Sequence, residues 1–188
     1  MRWTDLFDDL EAQLTAQEVA ERQGEVVEHT RAGRGRVFLS DRYLADVGRD
    51  LRLTLRGGLI LEGGLTQVGQ EWLLLSHQDS ARGRESLVLT GQLVAVQGLS
   101  GRSDPGRIES VQRALGIRQA LRALSRDRAV VRMHLVEGAT LTGTIDRVGA
   151  DHLDLSAHPA DLPRRSRAVH SLVTVPYAAL TSVVHRGD

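Results

Sequence analysis

The sequence contains no cysteine, no lysine and few aromatic residues, which make up 3% of it. Without cysteine, the chain can form no disulfide bond and no cysteine-ligated metal site. It also lacks an apolar run near the ~18 residues that predict a membrane-spanning helix, and it shows no secretory leader pattern. We therefore expect a cytoplasmic protein that has no membrane partner.

The charge of the chain is balanced but unevenly distributed. Basic and acidic residues number 24 each, which argues against binding to nucleic acid through bulk charge. All the basic residues are arginine, a bias typical of a GC-rich genome, although arginine is also the better bidentate partner for phosphate. Residues 1–28 hold eight acidic residues against two arginines, whereas residues 102–132 hold eight arginines against three acidic residues. Two interpretations stay open: these segments pair with each other, or the basic one faces nucleic acid.

One segment of the sequence occurs twice. Residues 51–75 match residues 131–155 without a gap at a displacement of 80 positions, with three glycines and eight apolar residues in common register. The matched glycines are Gly58, Gly63 and Gly69 in the first copy and Gly138, Gly143 and Gly149 in the second. This period exceeds the roughly 20–50 residues of solenoid repeats, so it indicates two duplicated modules.

Each copy has the pattern of short antiparallel strands. Apolar residues alternate with polar ones at Leu51, Leu53 and Leu55, which predicts a strand with one buried face. Gly63 lies inside the second predicted strand, where glycine is typical of a bulge, a bend or close backbone approach. The later strands are predicted at Trp72–Leu75, Ser86–Leu89 and Leu93–Val96, and at His152–Leu155, Leu172–Val175 and Leu180–Val184. Five bent strands in each copy predict a small closed barrel.

A helix-like segment precedes each set of strands, at Ser40–Val47 and Pro105–Ser125. A helix followed by five strands, with glycines at these positions, resembles the Sm-like family, which includes the Sm and LSm proteins and the bacterial host-factor RNA chaperone. The resemblance covers residues 40–99 and 120–186, although PRC barrels and the C-terminal domain of biotin protein ligases share a glycine-punctuated strand pair. It implies a mainly β protein with helices (α+β), built from two tandem five-stranded SH3-like barrels.

We therefore expect a domain organisation of three parts. The predicted parts are an acidic N-terminal helix and linker at residues 1–35, the first Sm-like barrel at residues 36–100, and a helix with the second barrel at residues 101–188. Thr4 is suited to cap the long first helix, whose apolar residues Trp3, Phe7, Leu10 and Leu14 lie near one face. That face either docks on a barrel or binds a protein partner.

The resemblance implies an RNA-base pocket in the third strand and between the fourth and fifth strands. Trp72 and His152 stand where the family carries asparagine, and no arginine follows the fourth strand in either copy. Trp72, His152 and Tyr177 can stack on bases instead, although a tryptophan at this position also suits the barrel core. Arginines of the middle helix and of the long loop at 157–170 are the candidate phosphate contacts: Arg118, Arg122, Arg126, Arg164, Arg165 and Arg167.

The sequence shows no pattern of catalytic residues. It contains no HExxH zinc motif, no Gly-x-Ser-x-Gly elbow, and no phosphate-binding or dinucleotide-binding glycine loop. We therefore expect a bacterial protein that is not an enzyme and that has no cofactor or metal. The leading hypothesis is an RNA-binding or RNA-associated regulatory module. The alternative is a scaffold or adaptor that binds a protein partner through its N-terminal helix, or that assembles as a homo-oligomer without nucleic acid.

Overall fold

A computed structural model describes residues 37–77, 84–104, 116–159 and 171–186. The chain divides into two compact units, residues 1–38 and 39–188, and the second unit contains every element described below. The predicted N-terminal helix lies outside the described residues, as do the first half of the predicted Pro105–Ser125 helix and the loop at 160–170.

The second unit contains two helices and ten strands within its described residues. Helix α1 spans Leu39–Ala45 and helix α2 spans Ile117–Arg126. The strands are β1 (Asp50–Leu55), β2 (Ile60–Val68), β3 (Trp72–Ser76), β4 (Arg84–Leu89), β5 (Leu93–Gln97), β6 (Val130–Leu135), β7 (Thr140–Val148), β8 (His152–Ala157), β9 (Ser171–Pro176) and β10 (Leu180–Arg186). Helix α2 begins after Gly116, whose backbone is extended, so the described part of the predicted middle helix does not run through that glycine.

All ten strands belong to one antiparallel sheet, in the order β5-β1-β2-β3-β4-β10-β6-β7-β8-β9. The prediction of two separate five-stranded barrels was therefore wrong. The repeats form one sheet because strand β10 pairs with β6 on one side and with β4 of the first repeat on the other. Alternation along a strand specifies which face is buried, but it does not specify the strand that pairs along each edge.

Strand pairing defines how the two repeats correspond. Trp72 lies opposite Leu89 in the first repeat, and His152 lies opposite Pro176 in the second. Equivalent residues of the two repeats are therefore 80 positions apart in the first three strands and 87 positions apart in the last two. The predicted fourth strands, Ser86–Leu89 and Leu172–Val175, are 86 positions apart, so that prediction was one residue out of register. The added residues lie between β8 and β9.

The glycines inside β2 and β7 permit close backbone approach, as their position predicts. A Cβ atom on Gly63 would lie 2.6 Å from the Ser76 carbonyl oxygen, and one on Gly143 would lie 2.1 Å from that of Ser156. Pairing shifts register shortly after each glycine, between Leu65 and Gln67 in β2 and between the equivalent residues of β7. These bulges bend both strands.

Two apolar clusters form the core. The first joins helix α1 to strands β1 to β4: Tyr43, Leu44, Leu51, Leu53, Leu55, Leu65, Val68, Leu73, Leu75 and Val88. The second combines strands of the second repeat with Ile117 and Leu121 of α2, and it includes Trp72, Leu87 and Leu89 of the first repeat. The second core thus extends across the boundary between the repeats. In the described part of the chain, neither helix has the length and apolar character needed to cross a bilayer.

Candidate functional site

Helix α2 presents a row of arginines to solvent. Ile117 and Leu121 are buried in the core and set the rotation of the helix. Arg118, Arg122 and Arg126 follow at intervals of four residues, which places them on one exposed face. Among the described residues, these three guanidinium groups form no ion pair. The helix therefore carries a row of positive charge that no described carboxylate neutralises.

The first repeat holds the start of helix α2 in place. The backbone N–H of Ile117 donates a hydrogen bond to Oε1 of Glu71, at 3.0 Å. A carboxylate is favourable at this end of a helix because it satisfies an unpaired N–H group and complements the helix dipole. Glu71 corresponds to Asp151 of the second repeat, so one position has different partners in the two copies.

Tyr177 lies in the short 3-10 turn between β9 and β10. Its N–H donates to the Asp151 carbonyl oxygen at 2.8 Å, and its hydroxyl donates to the Gly149 carbonyl oxygen at 3.0 Å. Burial raises the pKa of the Tyr177 hydroxyl, while the nearby charges of Arg118 and Arg122 act in the opposite direction. The half-buried ring is therefore neutral at physiological pH and lies near two cations.

His152 and Asp151 border Tyr177. Nδ1 of His152 lies 2.8 Å from Oδ1 of Asp151, so that nitrogen donates to the carboxylate. The hydrogen bond from His152 is the main reason that the pKa of the Asp151 carboxyl lies below its ordinary value. The imidazole also covers Gly149, where a Cβ atom would lie 2.6 Å from Cε1 of His152. The side chains of His152 and Asp151 are 44% and 89% exposed, so both are accessible to a ligand.

The equivalent position in the first repeat is closed. Trp72 covers Gly69 as His152 covers Gly149, but the indole is only 4% exposed and belongs to the second core cluster. The structure thus agrees with the interpretation of Trp72 as a core residue. Gln92, in the turn after β4, donates from Nε2 to the Ala178 carbonyl oxygen at 2.9 Å and ties the two repeats together.

The fold places the described candidates in two groups. Tyr177, Arg118 and Arg122 come together, with His152 at the border and Arg126 one turn further along the helix. Trp72 lies in the core. The remaining candidates, Arg164, Arg165 and Arg167, lie outside the described residues.

Asp151 is the member of this site that the sequence comparison did not select. The sequence shows that Asp151 corresponds to Glu71 of the first repeat. Only the structure shows that its backbone carbonyl accepts a hydrogen bond from Tyr177 and that its side chain accepts one from His152.

His158 is a buried, hydrogen-bonded residue of the fold. It is buried, with Nε2 2.8 Å from the Thr144 hydroxyl and Nδ1 donating to the Pro159 carbonyl oxygen at 2.9 Å. Within the described ranges, no group of three or more histidine, aspartate or glutamate side chains is placed to hold a metal ion.

Comparison with known proteins identifies no family to which this chain can be assigned. A scan of the sequence against protein-family models finds no match, and a search of curated proteins finds no similar sequence. The geometry of the site is therefore the basis for assigning a function.

Proposed function

We propose that this protein is a non-catalytic RNA-binding module whose ligand is single-stranded RNA. The observation that carries the proposal is that the partly exposed Tyr177 lies within electrostatic range of the exposed Arg118 and Arg122. Bases of a single strand stack on aromatic rings, and arginine binds phosphate groups with paired hydrogen bonds. A partly exposed ring with two arginines in its electrostatic range offers both kinds of contact. The Sm-like strand pattern of the sequence supports the same proposal.

The neutral charge of the whole chain is compatible with this site because the positive charge is local. Arg118, Arg122 and Arg126 form the exposed face of one short helix. If two of them each neutralise one phosphate of a single strand, the slope of log K against log salt concentration is about −1.4. Binding is then weakly salt-dependent compared with that of strongly basic proteins.

The direct test is fluorescence anisotropy with a labelled single-stranded RNA of about 12 nucleotides, recorded over a salt series. We expect Arg118→Ala/Arg122→Ala to weaken binding by at least about tenfold and to remove most of the salt dependence. The matched control is Arg56→Ala/Arg132→Ala, which removes the same charge from two exposed arginines on other elements. Equal losses in both variants would show that binding follows total charge alone.

The arginines of the long loop form a separate part of the proposal. Replacing Arg164, Arg165 and Arg167 together by alanine is expected to weaken RNA binding further and to reduce its salt dependence. If wild-type protein shows no RNA affinity at low salt, the proposal fails, and the alternative of a scaffold without nucleic acid is favoured.

A further inference from the structure

The turn between helix α2 and strand β6 contains an arginine in a left-handed backbone conformation. Arg128 has a φ of 49° and is the one non-glycine residue with positive φ in the described part of the chain. Glycine occupies every other positive-φ position there. A side chain at this φ crowds the neighbouring carbonyl oxygen, whereas glycine, which has no Cβ atom, adopts the conformation freely. The fold therefore holds Arg128 in a conformation that glycine would adopt without strain.

The hydrogen bonds around this turn explain why the backbone is left-handed. The N–H of Arg128 donates to the Ser125 carbonyl oxygen at 3.2 Å, and the N–H of Ala129 donates to the Leu124 carbonyl oxygen at 3.3 Å. These two bonds form a Schellman motif, which closes a helix through one left-handed residue that is usually glycine. Leu124 and Ala129 both pack against the second core cluster, which is the apolar contact that accompanies the motif. The conformation of Arg128 is thus imposed by the way in which α2 ends.

The first repeat has a glycine at the same position. Arg128 lies 80 positions after Gly48, which is the displacement that relates β1 to β6. Gly48 lies between helix α1 and strand β1, and its φ is 93°. Crowding does not require a glycine there, since a Cβ atom would have no neighbour within 4 Å. Both repeats therefore have a left-handed residue between helix and first strand, and only the second repeat has a side chain on it.

Arg128 continues the row of arginines on α2. At 1.5 Å per residue, the row from Arg118 to Arg126 extends over about 12 Å, and Arg128 follows two residues after its last member. Arg128 is exposed, and among the described residues its guanidinium group forms no ion pair. The side chain that strains the turn therefore adds a fourth positive charge at the end of the row.

We propose that Arg128 is a further RNA-binding residue, which contacts a phosphate group beyond the end of helix α2. The inference rests on the proposed function and extends its site from the helix into the turn before β6. Strained backbone positions cluster at functional sites, where the side chain is needed in spite of the strain. Because a phosphate contact carries no sequence information, loss of Arg128 weakens binding to all RNA sequences alike.

A different role would give different measurements. A cation near the C-terminus of a helix also stabilises the helix through its dipole. If that were the role of Arg128, its removal would lower stability and leave RNA affinity unchanged. A phosphate contact made by a strained residue predicts the reverse for glycine, which is higher stability and lower RNA affinity.

The test compares three substitutions of Arg128 by thermal unfolding and by fluorescence anisotropy with single-stranded RNA. Arg128→Gly removes the charge and relieves the strain, Arg128→Ala removes only the charge, and Arg128→Lys retains the charge. Arg128→Gly is expected to raise Tm by about 2–4 °C, and Arg128→Ala is not. At about 0.1 M salt, both should weaken RNA binding about fivefold and reduce the slope of log K against log salt concentration by about 0.7. Arg128→Lys should retain most of the affinity and of the slope.

Two controls separate the contact from charge and from strain. Arg56→Ala removes one exposed arginine from the turn after β1, and its RNA affinity should stay within about twofold of wild type. Gly48→Arg introduces the strained arginine into the first repeat, where it should lower Tm by about 2–4 °C without a gain in RNA affinity. A fivefold gain from Gly48→Arg would show that any added arginine suffices, which contradicts a specific contact.

The outcomes distinguish this inference from the function on which it rests. An Arg128→Gly protein that binds RNA as wild type does would overturn the role of Arg128. The proposed function would still stand if Arg118→Ala/Arg122→Ala weakened binding in the same assay. A lower Tm with unchanged RNA affinity in Arg128→Gly would assign the arginine to the helix dipole instead, and a wild-type protein without RNA affinity would overturn both proposals.

Discussion

Replacing Tyr177 by alanine tests the proposed function most directly. The substitution removes the ring but leaves Arg118 and Arg122 on their helix, where Ile117 and Leu121 hold the helix against the core. Phosphate contacts are therefore preserved and base stacking is lost. The matched control is Tyr177→Phe, which keeps the ring and removes only the hydroxyl that donates to the Gly149 carbonyl oxygen.

The expected magnitude follows from the exposure of the ring. Tyr177 is half-buried against the core, so we expect it to stack on one base at most. One such stack contributes roughly 1–3 kcal/mol, so Tyr177→Ala should raise the dissociation constant for RNA about fivefold to 150-fold. Tyr177→Phe should change it by less than about twofold, because the hydroxyl is turned toward the protein. The lost hydrogen bond lowers the free energy of unfolding by about 0.5–1.5 kcal/mol.

The assay is fluorescence anisotropy with single-stranded RNA, together with urea unfolding of each variant, so that affinity and stability are measured separately. The salt dependence of the Tyr177→Ala protein should equal that of wild type, since its phosphate contacts are intact. The reasoning is refuted if Tyr177→Phe binds as weakly as Tyr177→Ala at equal stability. It is also refuted if neither variant differs from wild type in affinity.

Three further predictions concern the surroundings of the site and the core. Asp151→Asn should strengthen RNA binding about twofold to fivefold at low salt, because it removes a carboxylate beside the bound phosphates; the same anisotropy assay measures this. Asp46 accepts hydrogen bonds from the N–H and the hydroxyl of Ser100, at 2.8 and 2.6 Å. Burial raises the pKa of Asp46, but these hydrogen bonds and nearby arginines outweigh it, so the pKa lies below 3.8. The stability that Asp46 contributes is thus present above that pH and is lost as the pH falls through the lower folded pKa. Asp46→Asn should cost about 1–3 kcal/mol in urea unfolding at pH 7 and less at pH 3; an equal cost at both would contradict the assignment. Trp72→Ala should lower the free energy of unfolding by about 3–5 kcal/mol, whereas Trp72→Phe should leave RNA affinity unchanged; weaker RNA binding by a stably folded Trp72→Phe protein would reopen its stacking role.

The local structure of this protein was largely predictable from its sequence. Alternation at Leu51, Leu53 and Leu55 marks a strand with one buried face, and those three side chains are buried in β1. Gly63 was expected at a place of close approach, and its position against the Ser76 carbonyl leaves no room for a side chain. Both signals are local, because they depend on side-chain period and on the space around one Cα atom.

The candidate site was predictable only in part. Tyr177 and the arginines of α2 were recognised by chemical type, but nothing along the chain places Arg118 beside a residue nearly sixty positions later. The difference between Trp72 and His152 was also not apparent from their matched positions. It arises because the second core cluster crosses the repeat boundary and buries the first residue, while the second stays at the surface.

The sequence by itself determined the duplication, the strands and the position of the glycine bends, since each depends on residues close together in the chain. Only the tertiary structure decided how the repeats join. Backbone hydrogen bonds between strands are the same for every side chain, so the pairing of β4 with β10 is not encoded by a local pattern. That pairing made one sheet of ten strands, brought the first repeat against α2, and left β5 and β9 as its two edges.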